Sequence, residues 1–222
     1  MRFVDPDGRA PTTDYYGLNG KNVRHVEDGK NDKKLILTDL PFRKDAKEEA
    51  ITKSISDGKV IDVPSNEVVA KMELAYNNTK KSGKENGFIV GKTGKSSIMV
   101  EGSEGSIKKE WKAAQDDITS KGDLKSYDVH THPIERDQDG KIINVGTPSP
   151  SGTDMSNASV NHPDAVLGYI QVIPPAISGQ MGGERVPQEI KQIGFYNSNG
   201  SLTGPTGIKF DDFKSAVNKI NK

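Results

Sequence analysis

Two of the four histidines in this chain stand one residue apart in YDVHTHPIERDQDGKIINVGTPSPSGTD, residues 127 to 154. Successive side chains of a β-strand point to opposite faces, so in SYDVHTH the residues His130 and His132 share one face while Val129 and Thr131 share the other. Pro133 ends the strand and leaves the second imidazole at an accessible edge. The stretch closes on Asp154 after a Pro/Ser/Gly turn. Two imidazoles and one carboxylate make a zinc ligand set whose fourth position stays open to water, and an open position separates a catalytic zinc site from a structural one.

The elements that must carry these residues are read from periodicity. Residues 1 to 34 are polar and turn-rich, with Asp-Gly and Asn-Gly pairs and no sustained period. KLILTD (34–39) reads as a short strand, DAKEEAITKSISDG (45–58) as a helix capped by Asp45 and stopped by Gly58, and KVIDVPS (59–65) as extended. A second helix starts at a Ser65/Asn66 cap and ends at Gly83, with Val68, Met72, Ala75 and Tyr76 on its apolar side. GFIVGK (87–92) and SIMVEG (97–102) read as a hairpin, and 106–122 as a helix with Ile107, Trp111, Ala114 and Ile118 in register. A helix start at 151–160, strands at 165–173 and 189–197, and a helix over 207–222 complete the chain. Strands and helices mix without a strict βαβ rhythm, so the expected class is α/β or α+β, a mixed sheet flanked by helices.

Composition excludes several alternatives. The chain of 222 residues has no cysteine, which removes disulfides, Cys-ligated zinc and a thiol nucleophile. Its 31 basic and 31 acidic residues cancel and form no basic stripe, so neither nucleic acid nor membrane is an expected partner. No apolar run is long enough to span a bilayer, and MRFVDPDGRAP is not a signal peptide. VGKTGKSS looks superficially like a phosphate-binding loop but lacks the glycine that motif needs upstream, so it reads as a β-turn.

HTHP followed by PSGTD resembles the metal signature of the JAB/MPN (JAMM) zinc metallopeptidases, and His130, His132, Ser151 and Asp154 match it. The resemblance covers roughly residues 65 to 200 and implies a JAB/MPN, cytidine-deaminase-like architecture over 65–222, with 35–64 an N-terminal extension. It further implies that His130, His132 and Asp154 hold Zn2+, that Ser151 steadies an oxyanion, and that an upstream glutamate is the general base. SGKENGFIVGK is similar to the family's glutamate strand, which nominates Glu85. Aligned without a gap, the family's glutamate falls on Lys84, one residue early. A small bulge absorbs that offset, and Glu101 and Glu104 are the substitutes. The 18 residues between His132 and Ser151 outnumber those usual in the family. They read as an inserted hairpin around Asp139-Gly140 that overhangs the metal and shapes access to it, or as a plain surface insertion. Asp128 lies on the face of His130 as a possible supporting carboxylate, whereas His162 and His25 read as structural and exposed, respectively.

RFVDPDGRAP followed by DYYGLNGK resembles the end of an Rhs-type repeat core running into the C-terminal tip of a polymorphic toxin. On that resemblance residues 1–34 are a core remnant or linker. The implied protein is a secreted effector: a peptidase or deubiquitinase-like isopeptidase acting on a peptide, protein or ubiquitin-like conjugate. An Rhs carrier and secretion apparatus would deliver it to the cytoplasm of a target cell, and a cognate immunity protein would bind it. The competing expectations are a metal-free JAB/MPN binding module and a metal-dependent nuclease toxin.

Overall fold

The computed structural model describes residues 11–102, 107–139, 142–160, 163–172 and 188–222, and the chain divides into two compact units. The first comprises residues up to Val69 together with Asp211–Lys222, and the second Ala70–Phe210. Both are mixed α/β, with helices and mixed sheets. Among the described residues no helix is long and apolar enough to cross a membrane.

The first unit begins with strands β1 (Thr12–Tyr16), β2 (Asn22–Glu27) and β3 (Asp32–Ile36), followed by helix α1 (Lys44–Ser56) and strand β4 (Val60–Asp62). Its sheet runs β2-β1-β3-β4, with β1 and β3 parallel and the other neighbours antiparallel. Three strands thus occupy a region that reads as turn-rich from sequence. The strands are short and mostly half-exposed, so no apolar alternation builds up. The Asn19-Gly20 and Asp28-Gly29 pairs are the turns between them, each glycine with φ near +75°. The N-cap of helix α1 is Arg43, and Asp45 lies inside the first turn rather than at the cap. His25 is exposed, as expected, and pairs with Asp14 of the neighbouring strand.

Helix α2 (Asn66–Ser82) is capped by Ser65, whose Oγ accepts the Val68 N–H at 3.2 Å, and is stopped by Gly83 at φ +77°. Strands β5 (Asn86–Gly91) and β6 (Val100–Glu101), helix α3 (Trp111–Ser120) and strand β7 (Lys125–Thr131) follow. The insertion holds the small hairpin β8 (Glu135–Arg136) and β9 (Ile142–Asn144); its expected tip, Gly140, lies outside the described residues. Helix α4 (Gly152–Asn157), strands β10 (Asp164–Val172), β11 (Gln188–Asn197), β12 (Gly200–Ser201) and β13 (Ile208–Lys209), and helix α5 (Phe210–Ile220) end the chain.

The second unit is built on a seven-stranded sheet, β12-β11-β10-β7-β5-β6, with β13 also paired to β11. Strands β7 and β10 are parallel and the remaining neighbours antiparallel. Ile89 on one face joins Val100, Ile107, Ala114 and Ile118 in a buried cluster closed by Trp111. Removing these side chains from water drives α3 onto that face, at roughly 1.5–3 kcal/mol for each large one. The other face presents Phe88, Val90, Val129 and Thr131, all buried, on the side of α2. Tyr169 donates its hydroxyl to the Tyr76 carbonyl there, and the two rings meet edge to face at 5.4 Å.

Candidate metal centre

Strand β7 delivers His130, and its continuation one residue past the strand end delivers His132, to the face that α3 covers, with the two rings 5.3 Å apart. The third ligand comes from the first turn of α4. Ser151 is the N-cap: its Oγ accepts the Asp154 N–H at 3.2 Å, and its own N–H donates to Asp154 Oδ2 at 2.7 Å. This reciprocal capping box fixes the Asp154 carboxylate in one orientation. Neither bond uses the hydroxyl hydrogen of Ser151.

Asp154 Oδ1 lies 3.5 Å from His130 Nε2, and Oδ2 lies 3.2 Å from His132 Nε2. One donor atom from each of the three residues falls within 4.8 Å of the others. His130 Nε2 is buried and has no hydrogen-bond partner. A buried polar nitrogen left unpaired costs free energy that a cation between these atoms would recover. Imidazole, imidazole and carboxylate are also donors suited to a divalent ion such as zinc.

Protonation follows from the same proximity. Burial opposes ionisation of Asp154, but the closeness of the His130 imidazole and the bond to His132 outweigh that and hold it well below the usual carboxylate range. Burial likewise works against an imidazolium at His130, yet Asp154, Glu85 and Asp128 together raise its proton affinity.

Glu85, half-buried just before β5, lies among these groups. Desolvation raises its pKa, His130 and His132 pull it down, and Asp154 pushes it up. Its carboxylate accepts the backbone N–H of Ile107. Lys84 is exposed and pairs instead with Glu101, 3.4 Å away on β6. Of the two substitute glutamates, Glu101 is therefore engaged elsewhere, and Glu104 lies outside the described residues, as does His162.

Both arms of the insertion are tied down beside the ligands. On the outgoing arm Ile134 is buried, its N–H donating to the Gly83 carbonyl, and Arg136 donates to the Lys80 carbonyl at 3.0 Å. On the return arm Gly146 takes the place that β7 vacates beside β10, accepting the Tyr169 N–H at 2.7 Å. The Thr147 carbonyl then meets His132 Nδ1 at 2.8 Å. A carbonyl only accepts, so Nδ1 carries a proton, and Nε2 is the ring nitrogen that faces Asp154 Oδ2, at 3.2 Å.

The arm lies close because glycines make room for it. A Cβ on Gly168 would collide with the Gly146 carbonyl, and one on Gly194 with the Pro148 carbonyl. Isolated glycines inside apolar strands mark such close approaches. Behind the ligands, Tyr196 sets its ring edgewise to His130 at 6.2 Å. Asp128 does face the His130 side; it is ion-paired to Lys125, and its N–H donates to Asp164 Oδ1 at 2.7 Å. Asp164 is buried beside that second carboxylate, which with desolvation pushes its pKa up to about 6.

No family model, no curated protein and no solved structure matches this chain.

Proposed function

We propose that this chain is a zinc-dependent peptidase or isopeptidase of the JAB/MPN kind, delivered as the C-terminal tip of an Rhs-type toxin. The observation that carries the reading is the site itself: His130, His132 and Asp154 converge around a buried, unpartnered imidazole nitrogen, with the Glu85 carboxyl alongside. When bound, zinc supplies an acidified water and a Lewis acid for the substrate carbonyl.

The chain's own groups account for the rest. Glu85, with its proton affinity raised by burial, accepts the proton of the attacking water and returns it to the leaving amine. Ser151 offers its unused hydroxyl hydrogen to the oxygen that becomes negative; losing such a donor typically costs about 100-fold or more in rate. Thr147 holds His132 in the ligating tautomer. The delivery reading, with its carrier, secretion apparatus and immunity protein, rests on the resemblance of residues 2–21 to an Rhs core junction.

The test is hydrolysis of fluorescein-labelled denatured casein and of a ubiquitin isopeptide conjugate by the purified chain. Cleavage of either, stopped by a chelator, restored by zinc and lost in Glu85→Gln, supports the reading. No zinc bound even after zinc is supplied, with no cleavage of either, points to the metal-free binding module. Digestion of DNA or RNA instead points to a nuclease.

A further inference from the structure

On the sheet face opposite the ligands, three polar side chains are almost wholly buried: Thr79 of α2, Asn86 of β5 and Thr131 of β7. Side chains of this type are rarely buried unless fully paired, and here they pair chiefly with one another. Asn86 Nδ2 donates to Thr79 Oγ1 at 3.2 Å, and the Thr79 and Thr131 hydroxyls are 2.5 Å apart. Thr131 Oγ1 accepts the Asn86 N–H at 2.8 Å and lies 3.2 Å from the Asn86 carbonyl oxygen. One assignment of hydrogens satisfies the whole ring. Asn86 donates to Thr79, Thr79 to Thr131, and Thr131 back to the Asn86 carbonyl.

The ring closes around one residue. Asn86 Nδ2 also holds the Lys84 carbonyl at 3.2 Å, and the Gly102 N–H holds the Glu85 carbonyl at 2.8 Å. The main-chain groups before, at and after Glu85 are therefore all fixed. Two of those three bonds come from this ring, and Thr131 sits between the two histidines. The strand that carries the ligands thus also sets the peptide that carries Glu85, through a side chain that never enters the site.

We propose that Thr131, Asn86 and Thr79 are positioning residues that hold the Glu85 carboxyl against the ligand face of β7. This rests on the reading of Glu85 as the base of a metal-dependent hydrolase, but it makes its own prediction about local structure. A methyl in place of the Thr131 hydroxyl leaves the Asn86 N–H and the hydroxyl hydrogen of Thr79 without their acceptor, so the 84–86 segment loosens while the histidines keep their face.

The experiment compares Thr131→Val, Thr131→Ser and Thr79→Val in the full chain. It measures Co2+ affinity, the visible spectrum of bound Co2+, amide exchange at Asn86 and hydrolysis of labelled denatured casein. In Thr131→Val the expected result is unchanged Co2+ affinity, an altered spectrum, faster Asn86 exchange and a kcat lowered by about 100-fold at similar KM. Thr131→Ser, which keeps the oxygen, restores all of them. Thr79→Val, which spares the direct Thr131–Asn86 bonds, falls between and carries the test if Thr131→Val does not fold. Full activity in Thr131→Val, no rescue by Thr131→Ser, or Co2+ affinity lost in step with kcat would each overturn the proposal. If the wild type cleaves nothing, yet spectrum and exchange shift in Thr131→Val and recover in Thr131→Ser, the positioning role stands and the peptidase reading falls.

Discussion

Gly87 of β5 stands directly opposite His130 of β7 in the antiparallel ladder. Residues paired across a ladder project to the same face, so two residues upstream of Gly87 the chain returns to the ligand face at Glu85, and Lys84 has the opposite parity. This register places Glu85, and not Lys84, on the face of His130. The expected outcome is that Glu85→Gln lowers casein hydrolysis by about 100-fold or more while zinc binding is kept. Lys84→Ala, made on the exposed Glu101 pair, leaves hydrolysis unchanged. Steady-state rates and zinc titrations of both variants check this.

A cation held by His130, His132 and Asp154 would link metal binding to folding. Zinc at about 100 times its Kd is expected to stabilise the native chain by about 2.7 kcal/mol, read as a rise in Tm that a chelator reverses. Asp154→Ala and His130→Ala abolish that rise. Thermal melts with and without zinc are sufficient.

The return arm of the insertion supports a candidate ligand, His132, rather than merely bordering it. Gly194→Ala forces a Cβ against the Pro148 carbonyl and lifts the arm that brings Thr147 to His132. Loss of a bond of this kind to a ligating histidine typically lowers metal affinity about 10- to 100-fold. Competition of the variant against a zinc-sensitive dye measures the loss. An unchanged affinity would show that the Thr147 carbonyl does not hold the tautomer.

Asp164 gives the fold a pH dependence of known sign. Its folded-state pKa is raised from 3.8 to about 6, so the native state holds the proton more tightly than the unfolded chain. Stability therefore falls as pH rises from about 4 through 6 and stays reduced above that; two pKa units correspond to about 3 kcal/mol. Asp164→Asn keeps an oxygen to accept the Asp128 N–H and removes the charge. It is expected to raise Tm at pH 7.5 and to do so progressively less as pH falls toward 4. A gain that is the same at both pH values would assign the effect to something other than the carboxylate.

The parts of this site that were legible in the sequence are those written in side chains at short spacing. His130 and His132 alternate on one strand, and Ser151 with Asp154 spells a helix cap as well as a ligand. The candidate base was legible only as a choice among neighbours, because strand register is a tertiary property and one residue of slip reverses every face. The Thr147 carbonyl was not legible at all, since any residue supplies a carbonyl. Gly168 and Gly194 carried a readable signal that only the crossing arm explains. In the first unit, strands β1 and β2 were hidden because short half-exposed strands between Asn-Gly and Asp-Gly turns show little alternation.

The most direct test of the metal centre and its use is the zinc content of the purified chain after equilibration with excess zinc and removal of free metal. The expected result is about one zinc per chain in the wild type and in Glu85→Gln, with none in Asp154→Ala, because the three candidate ligands form one cluster and Asp154 is one of them. A wild-type chain that retains no zinc, or an Asp154→Ala variant that retains as much as the wild type, would contradict it.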